Sequence, residues 1–352
     1  MVERNRTHRG FKIFLLIIGF LLLILLNNST KEKLVSLVDR RLNKVSELQL
    51  DTEYNGENLN YFKDTLIRWK DNKITYYNKD GSESWTKEFD FMYPDIYFGQ
   101  DNIYIMDKST GDIYIMDNKG DTISRIQTGQ NIFNLKESNN NYFVHSKEEG
   151  IEHLLIFDRE GNNIEKLETS DYFLTYSMNQ DASKYLYSTI SASEGLSSII
   201  NVKDIDTKEN YYIEKPNEVV FFSEFIDDRI IALTNKNLYM YEKDNMTWTY
   251  YNEGIQDILV KGKEIYILYN NKIDILDLNG QVIKSIDLSI EAKKFVNLDK
   301  SIGVFGQDDL VILQNHKEIL KYIGQEEITK VTANEKSVAI HYVDKVDIFK
   351  NK

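Results

Sequence analysis

The sequence predicts an all-β fold, an eight-bladed β-propeller, which follows an amino-terminal transmembrane helix and a short helical stalk. Three observations lead to this prediction: short β-branched and aromatic runs in groups of four, turn-forming tetrapeptides that recur every 35 to 48 residues, and one long apolar segment near the amino terminus. Strand-rich repeats of this length are typical of propeller blades. A seven-bladed ring is the alternative if residues 57–70 do not form a strand pair.

The predicted membrane anchor covers residues 11–30. Its centre, Ile13 to Leu26, has fourteen residues without a charge, which as a helix span about 21 Å of a roughly 30 Å hydrocarbon core, so flanking residues must complete the span. The basic residues of segment 1–10 predict a cytoplasmic tail, a single-pass protein of the cell membrane and an extracytoplasmic body. A cleaved signal peptide is the alternative, but no small-x-small cleavage site follows Leu26.

Residues 31–46 are predicted to form a helical stalk. Leu34, Leu37, Val38, Leu42 and Val45 are spaced by one to four residues along this segment, which contains neither Gly nor Pro. This spacing suits an amphipathic helix. A stalk that dimerises as a coiled coil is the alternative, although the apolar seam covers only two heptads.

The predicted propeller covers residues 47–352, and its repeating unit is clearest in residues 255–289. Four β-rich runs alternate there with turn formers; the runs are Ile255 to Val260, Glu264 to Tyr269, Ile273 to Leu278 and Val282 to Leu288. They predict a four-stranded antiparallel meander. The last unit has only three strands before Lys352, and an open edge strand promotes aggregation. We therefore expect the strand at residues 47–54 to complete the last blade and close the ring.

Composition excludes several classes of site and partner. The chain has no cysteine, so disulfides, zinc-thiolate sites and thiol nucleophiles are ruled out. Its net charge is −13, and residues 47–352 hold 34 Lys and Arg against 53 Asp and Glu. Such a body is repelled by nucleic acid, which we therefore do not expect as a partner.

The sequence contains no recognisable catalytic or metal-binding motif. The five histidines, His8, His145, His153, His316 and His341, do not occur in the close pairs that bind zinc. There is no nucleophile elbow, HExxH motif, P-loop or Rossmann fingerprint. We therefore expect no cofactor, no metal and no catalysis.

The candidate binding residues are acids in the junctions between consecutive blades. Six junctions contribute one each: Asp95, Asp171, Glu218, Glu253, Glu291 and Glu326. Because these junctions lie on one face of a propeller, the acids predict a rim that favours cations or basic peptides. The alternative is that they are ordinary solvated loop residues of an acidic protein.

One turn resembles a known repeat. The segment from Tyr76 to Trp85 contains Asp80-Gly81 followed by a tryptophan, and Asp-x-x-Gly turns begin at Asp117, Asp158 and Asp277. These features resemble the quinoprotein-type (PQQ) propeller repeat, although Trp69 and Trp248 lie outside the motif and only the first unit carries its tryptophan. With the anchor, the chain resembles uncharacterised membrane-anchored propellers of Gram-positive spore-forming bacteria. This resemblance implies the fold and a scaffold-like role, and the missing adjacent cysteine pair argues against quinone chemistry.

The function expected from the sequence is a protein-interaction or assembly scaffold in the cell envelope. Two alternatives remain at this point: an envelope enzyme acting on carbohydrate or another small substrate, and a stalked oligomeric structural component. The partners expected are the membrane, a protein of the envelope and, through the stalk, a second copy of the chain.

Overall fold

The computed structural model describes residues 42–50, 58–63, 65–78, 82–191, 195–251, 253–298, 300–334 and 337–351. Within these ranges the chain forms 32 strands and no helix. The strands make eight four-stranded antiparallel sheets, which are the eight blades of a propeller.

Blades 1 to 4 contain strands β2 to β17, four consecutive strands in each blade. Their bounds are β2 Asn58–Phe62, β3 Thr65–Lys70, β4 Lys73–Tyr77 and β5 Glu83–Glu88 in blade 1; β6 Pro94–Phe98, β7 Ile103–Asp107, β8 Asp112–Met116 and β9 Thr122–Gln127 in blade 2; β10 Ile132–Ser138, β11 Asn141–Glu148, β12 Ile151–Phe157 and β13 Asn163–Thr169 in blade 3; and β14 Tyr172–Met178, β15 Lys184–Ser191, β16 Ser197–Asp204 and β17 Asn210–Pro216 in blade 4.

Blades 5 to 7 repeat this arrangement, and blade 8 combines both ends of the propeller sequence. The bounds are β18 Val220–Ile226, β19 Arg229–Thr234, β20 Asn237–Glu242 and β21 Asn245–Tyr251 in blade 5; β22 Asp257–Lys261, β23 Glu264–Leu268, β24 Lys272–Leu276 and β25 Val282–Asp287 in blade 6; β26 Lys294–Leu298, β27 Ser301–Phe305, β28 Asp309–Gln314 and β29 Lys317–Ile323 in blade 7; and β30 Lys330–Ala333, β31 Ser337–His341, β32 Lys345–Asn351 and β1 Leu42–Gln49 in blade 8.

The first strand of each blade is the innermost one. Innermost strands of successive blades contact one another, as β2 does with β6, β22 with β26 and β30 with β2. The connections from each outer strand to the next inner strand, and the turns between second and third strands, therefore lie on one face, here called the junction face. The remaining turns lie on the other face, here called the turn face.

The Asp-x-x-Gly turns owe their sequence to two local requirements. The Asp277 carboxylate accepts hydrogen bonds from the backbone N–H groups of Asn279 (2.8 Å) and Gln281 (2.9 Å). Gly280 has φ +77°, a conformation that costs an L-residue with a side chain about 1 kcal/mol or more. Asp117 makes the same backbone bonds in blade 2.

Two tryptophans dock on these turns from the preceding blade. Trp85 of blade 1 packs against Gly120, and Trp248 of blade 5 packs against Gly280. The Trp248 indole N–H also donates to the Leu278 carbonyl (3.0 Å). The expectation that Trp248 lies outside the repeat motif is therefore wrong. Trp248 pairs with Met240, eight residues before it, whereas Trp85 pairs with Tyr76, nine residues before it, and this difference of one residue hides the match in the sequence.

The hydrophobic core lies between the blades. Each cluster takes side chains from two neighbouring sheets, for example Trp69 and Ile103 between blades 1 and 2. Leu59, Val346 and Ile348 pack together between blades 8 and 1. The ring is therefore closed by packing as well as by strand pairing.

Strand β1 closes the last blade as predicted, but it begins earlier than expected. It pairs antiparallel with β32, and Glu47 lies opposite Asp347. Residues 42–46 are strand rather than helix, so the predicted stalk 31–46 is wrong over its last part, and the predicted closing strand 47–54 is shifted to residues 42–49. The rest of the stalk, the anchor and residues 51–54 lie outside the described residues.

A β-bulge at Val45 is the physical reason why residues 42–46 form a strand although their apolar spacing suits a helix. The extra residue reverses the alternation, so Leu42 packs into the cluster between blades 7 and 8 while Leu48 packs between blades 8 and 1. The apolar spacing that suits a helix thus suits a bulged strand with two buried faces.

Strands β2 and β3 decide the number of blades. Residues 57–70 include this strand pair, so the eight-bladed ring is confirmed and the seven-bladed alternative is wrong.

Candidate functional site

The structure places all six predicted acids on the junction face, where three of them are engaged by neighbouring side chains. Asp95 forms an ion pair with Lys108 at 3.3 Å. Glu326 forms an ion pair with Lys345. The Glu218 carboxylate accepts hydrogen bonds from the Thr234 hydroxyl at 2.6 Å and the Tyr239 hydroxyl at 3.0 Å.

The other three acids differ in exposure. Glu253 and Glu291 are exposed, and Asp171 is half-buried in a cleft of blade 4. The six carboxylates therefore do not converge on one point. They form a dispersed acidic rim whose role in binding stays a prediction.

The connections of the junction face are acidic beyond the six predicted residues. Among the described residues they contain three basic side chains, Lys108, Lys236 and Lys293, against eleven acidic ones: Asp71, Asp90, Glu149, Asp171, Glu218, Glu253, Glu291, Asp308, Glu326, Glu327 and Asp344. A surface with this excess attracts cationic partners.

The junction face also carries most of the exposed apolar surface, a feature that the sequence analysis missed. Sixteen large apolar side chains are exposed in the described part of the chain. Ten of them lie on this face: Met92, Tyr93, Phe133, Ile151, Tyr172, Leu196, Phe221, Tyr251, Ile323 and Val343. Clustered exposure of this kind marks interaction surfaces.

Three consecutive inner strands present the aromatic part of this surface. Strands β10, β14 and β18 each have a register shift near their start, which leaves Phe133, Leu174 and Phe221 without a partner in the ladder. Phe133 is 50% exposed and Phe221 is 61% exposed. The inner strands of the other five blades pair without a register shift.

Hydrogen bonds hold the three bulged strands side by side. The Asn134 amide donates to the Tyr176 hydroxyl at 2.8 Å, which joins β10 to β14. Burial raises the pKa of Tyr176, so this hydroxyl stays protonated. The hydroxyls of Thr175 and Ser223 form a hydrogen bond that joins β14 to β18.

An ion pair connects the outer two of these three blades. Lys136 of β10 and Glu224 of β18 approach to 3.1 Å, three residues beyond the respective exposed phenylalanines. The pair therefore joins blades 3 and 5, on either side of blade 4. Phe133 and Phe221 therefore have fixed positions on either side of β14.

Two side chains of blade 3, His145 and Glu152, contact the aromatic residues at the start of β10 and β14. The His145 ring makes an edge contact with Phe133 (5.7 Å between centroids) and a 3.0 Å hydrogen bond to the Glu152 carboxylate. The same carboxylate accepts the backbone N–H of Phe173 at 2.9 Å. Glu152 is buried, so it links the start of β14 rigidly to blade 3.

A cleft adjoins this region on blade 4. It has a volume of about 330 Å³ and is lined by residues of the junctions and of the β15–β16 connection, among them Asp171, Thr189, Leu196, Ser197 and Pro216. Its wall includes one carboxylate, several hydroxyls and an exposed leucine. Such a lining suits a polypeptide side chain better than a purely apolar molecule.

The described residues contain no group of three or more His, Asp or Glu side chains arranged to hold a metal ion. They also contain no helix of the length and hydropathy needed to cross a bilayer.

Comparisons with known proteins agree with the fold. The chain is similar in structure to BamB from Moraxella catarrhalis, with a TM-score of 0.55 and 12% identity over 88% of this chain and 100% of that chain. It is also similar to Sqt1 from Saccharomyces cerevisiae, with a TM-score of 0.61 and 10% identity over 88% of this chain and 99% of that one. At these identities the likeness shows the propeller fold alone.

Sequence comparisons add one match. Residues 23–350 match the model of a protein family described as "Family of unknown function (DUF5711)". No curated protein matches the sequence significantly.

Proposed function

The chain belongs to the DUF5711 family of unknown function, and we propose that it is a membrane-tethered, extracytoplasmic propeller that binds a protein partner through its junction face. The observation that carries the proposal is the concentration of ten exposed large apolar side chains on that one face. Protein partners bury such surfaces, and the surrounding acidic connections favour a basic partner.

The direction of β1 fits this role. Leu42 pairs with Asn351 at the turn face, and Gln49 pairs with Lys345 at the junction face. A tether that precedes Leu42 therefore reaches the propeller from the turn face. The junction face then points away from the membrane and is free to meet a partner.

Site-specific photo-crosslinking tests the binding face. A photoreactive amino acid at Tyr93, Tyr251 or Val343, each exposed on the junction face, should link the tethered chain in intact cells to one and the same protein. The same amino acid at Ile283, which is exposed on outer strand β25, is the control and should give no such adduct. An equal yield from Ile283, or no adduct from any junction position, would contradict the proposal.

Cysteine labelling tests the location separately. Because the chain has no cysteine, Asn118→Cys in an exposed turn of blade 2 would be its single thiol. A membrane-impermeant maleimide should label this thiol in intact cells. Labelling only after lysis would place the propeller inside the cell and refute an extracytoplasmic platform.

A further inference from the structure

We propose that the bulged inner strands of blades 3, 4 and 5 form a specific peptide site, which receives a positively charged segment of the partner with one large apolar side chain. This inference rests on the proposed function, because it names the chemistry of the partner that the junction face binds. The site consists of Phe133, Leu174 and Phe221, with Asp171 and Glu218 beside them.

The bulges are not a requirement of the propeller fold. Five inner strands of the same chain pair with their neighbours without any register shift. A bulge interrupts the ladder and turns a side chain toward a new direction, and bulges are frequent beside functional sites. Three in adjacent strands, at equivalent positions, turn Phe133, Leu174 and Phe221 toward the same region.

The two phenylalanines expose a large apolar area at a rigid place. A phenylalanine side chain offers roughly 150 to 250 Å², and Phe133 and Phe221 leave 50% and 61% of their surface exposed. The Asn134–Tyr176 hydrogen bond joins β10 to β14, and the Thr175–Ser223 hydrogen bond joins β14 to β18, so the strands that carry the two phenylalanines are held in place. Binding there loses little conformational entropy of the protein, which favours affinity.

The neighbouring charges select a cationic segment. Asp171 and Glu218 are the charged side chains of the connections from blade 3 to 4 and from blade 4 to 5. Two lysines lie nearby. Lys147 lies over the Tyr172 ring (4.9 Å) and beside the buried Glu152 carboxylate (3.6 Å), and Lys215 lies over the ring of Tyr239 (3.3 Å), whose hydroxyl donates to Glu218. Among the described residues neither lysine forms an ion pair with Asp171 or Glu218, so both carboxylates can attract lysine or arginine side chains of a partner.

A defined peptide serves as the probe. We would measure fluorescence anisotropy of a labelled, alternating lysine–leucine peptide with the full-length chain in zwitterionic lipid nanodiscs, with empty nanodiscs as the blank. The wild-type chain should bind it saturably, and should bind a glutamate–leucine peptide and a lysine–glycine peptide each at least about tenfold more weakly. Equal affinity for all three peptides, or binding no greater than to empty nanodiscs, would overturn the proposal.

Variants assign the binding to the site. Phe133→Ser combined with Phe221→Ser should weaken lysine–leucine binding by about tenfold or more, because both apolar contacts are lost. The matched control, Val282→Ser with Ile283→Ser, removes two similarly exposed side chains from outer strand β25 and should leave the affinity unchanged. Equal loss in the control would refute the site.

Two further measurements separate the possible causes of failure. Equal melting temperatures of the two double variants would show that the phenylalanine changes act on binding rather than on folding. If the Phe133→Ser/Phe221→Ser chain still gives the junction-face crosslinks described above, the peptide site is wrong while the proposed function stands. If the crosslinks are absent from the wild-type chain as well, the proposed function itself fails.

Discussion

Replacing Gly280 by alanine should destabilise the propeller through the tryptophan that docks on it. Gly280 has φ +77°, and a Cβ atom built there would lie 2.7 Å from Cδ2 of Trp248. Gly262, in the same blade, has φ +62° and no atom within 4 Å of its hypothetical Cβ. Gly262→Ala therefore measures the backbone cost alone, and Gly280→Ala measures that cost together with displacement of the indole.

The expected magnitudes differ clearly. The left-handed backbone costs an alanine about 1 to 2 kcal/mol at either position. At Gly280 the indole must also move, which breaks its 3.0 Å hydrogen bond to the Leu278 carbonyl, worth about 1 kcal/mol, and loses apolar packing of a similar value. We expect Gly280→Ala to cost about 2 kcal/mol more than Gly262→Ala.

Urea unfolding followed by circular dichroism would measure both variants, together with Trp248→Ala and the double variant Trp248→Ala/Gly280→Ala. In the absence of the indole, Gly280→Ala should cost no more than Gly262→Ala does in the wild-type chain. Equal costs at the two glycines, or strictly additive effects of Trp248→Ala and Gly280→Ala, would refute the docking interpretation.

Two other predictions concern blade 8. A chain that begins at Leu42 should have the same melting temperature as the full chain. A chain that begins at Leu50 lacks β1 and leaves the edge of β32 open, so it should melt at a lower temperature and associate with rising concentration. Equal melting temperatures of the two truncated chains would contradict ring closure. Burial, with a smaller contribution from Lys294, lowers the pKa of Lys330 to about 8 from its ordinary 10.5. Below about pH 8 the Lys330 amine is protonated in both the folded and the unfolded state, and the cost of burying the ammonium group is present in full. Between about pH 8 and 10.5 the amine is protonated only in the unfolded state, so the free energy of unfolding should rise with pH. Denaturant midpoints from about pH 7.5 to 9.5 should show this rise in the wild-type chain and not in Lys330→Met, and parallel curves would refute it.

Much of the architecture followed from local sequence. Turn residues such as Asp277 and Gly280 must satisfy φ angles and backbone hydrogen bonds within a few residues, so they mark the blades wherever they occur. Counting them predicted eight units and the need for an amino-terminal strand in the last one. The placement of the junction acids on one face was also predictable, because the order of strands alone decides which face a connection occupies.

Other features depend on partners that are distant in the chain. The spacing of Leu42, Val45 and Leu48 is compatible with a helix or a bulged strand, and pairing with β32 decides between them. Exposure of Phe133 and Phe221 likewise depends on the register of their ladders, because one extra residue reverses which side of a strand meets solvent. The sequence by itself therefore determined the number and order of the blades, while only the tertiary structure decided which side chains face a partner, since strand register is a property of paired segments.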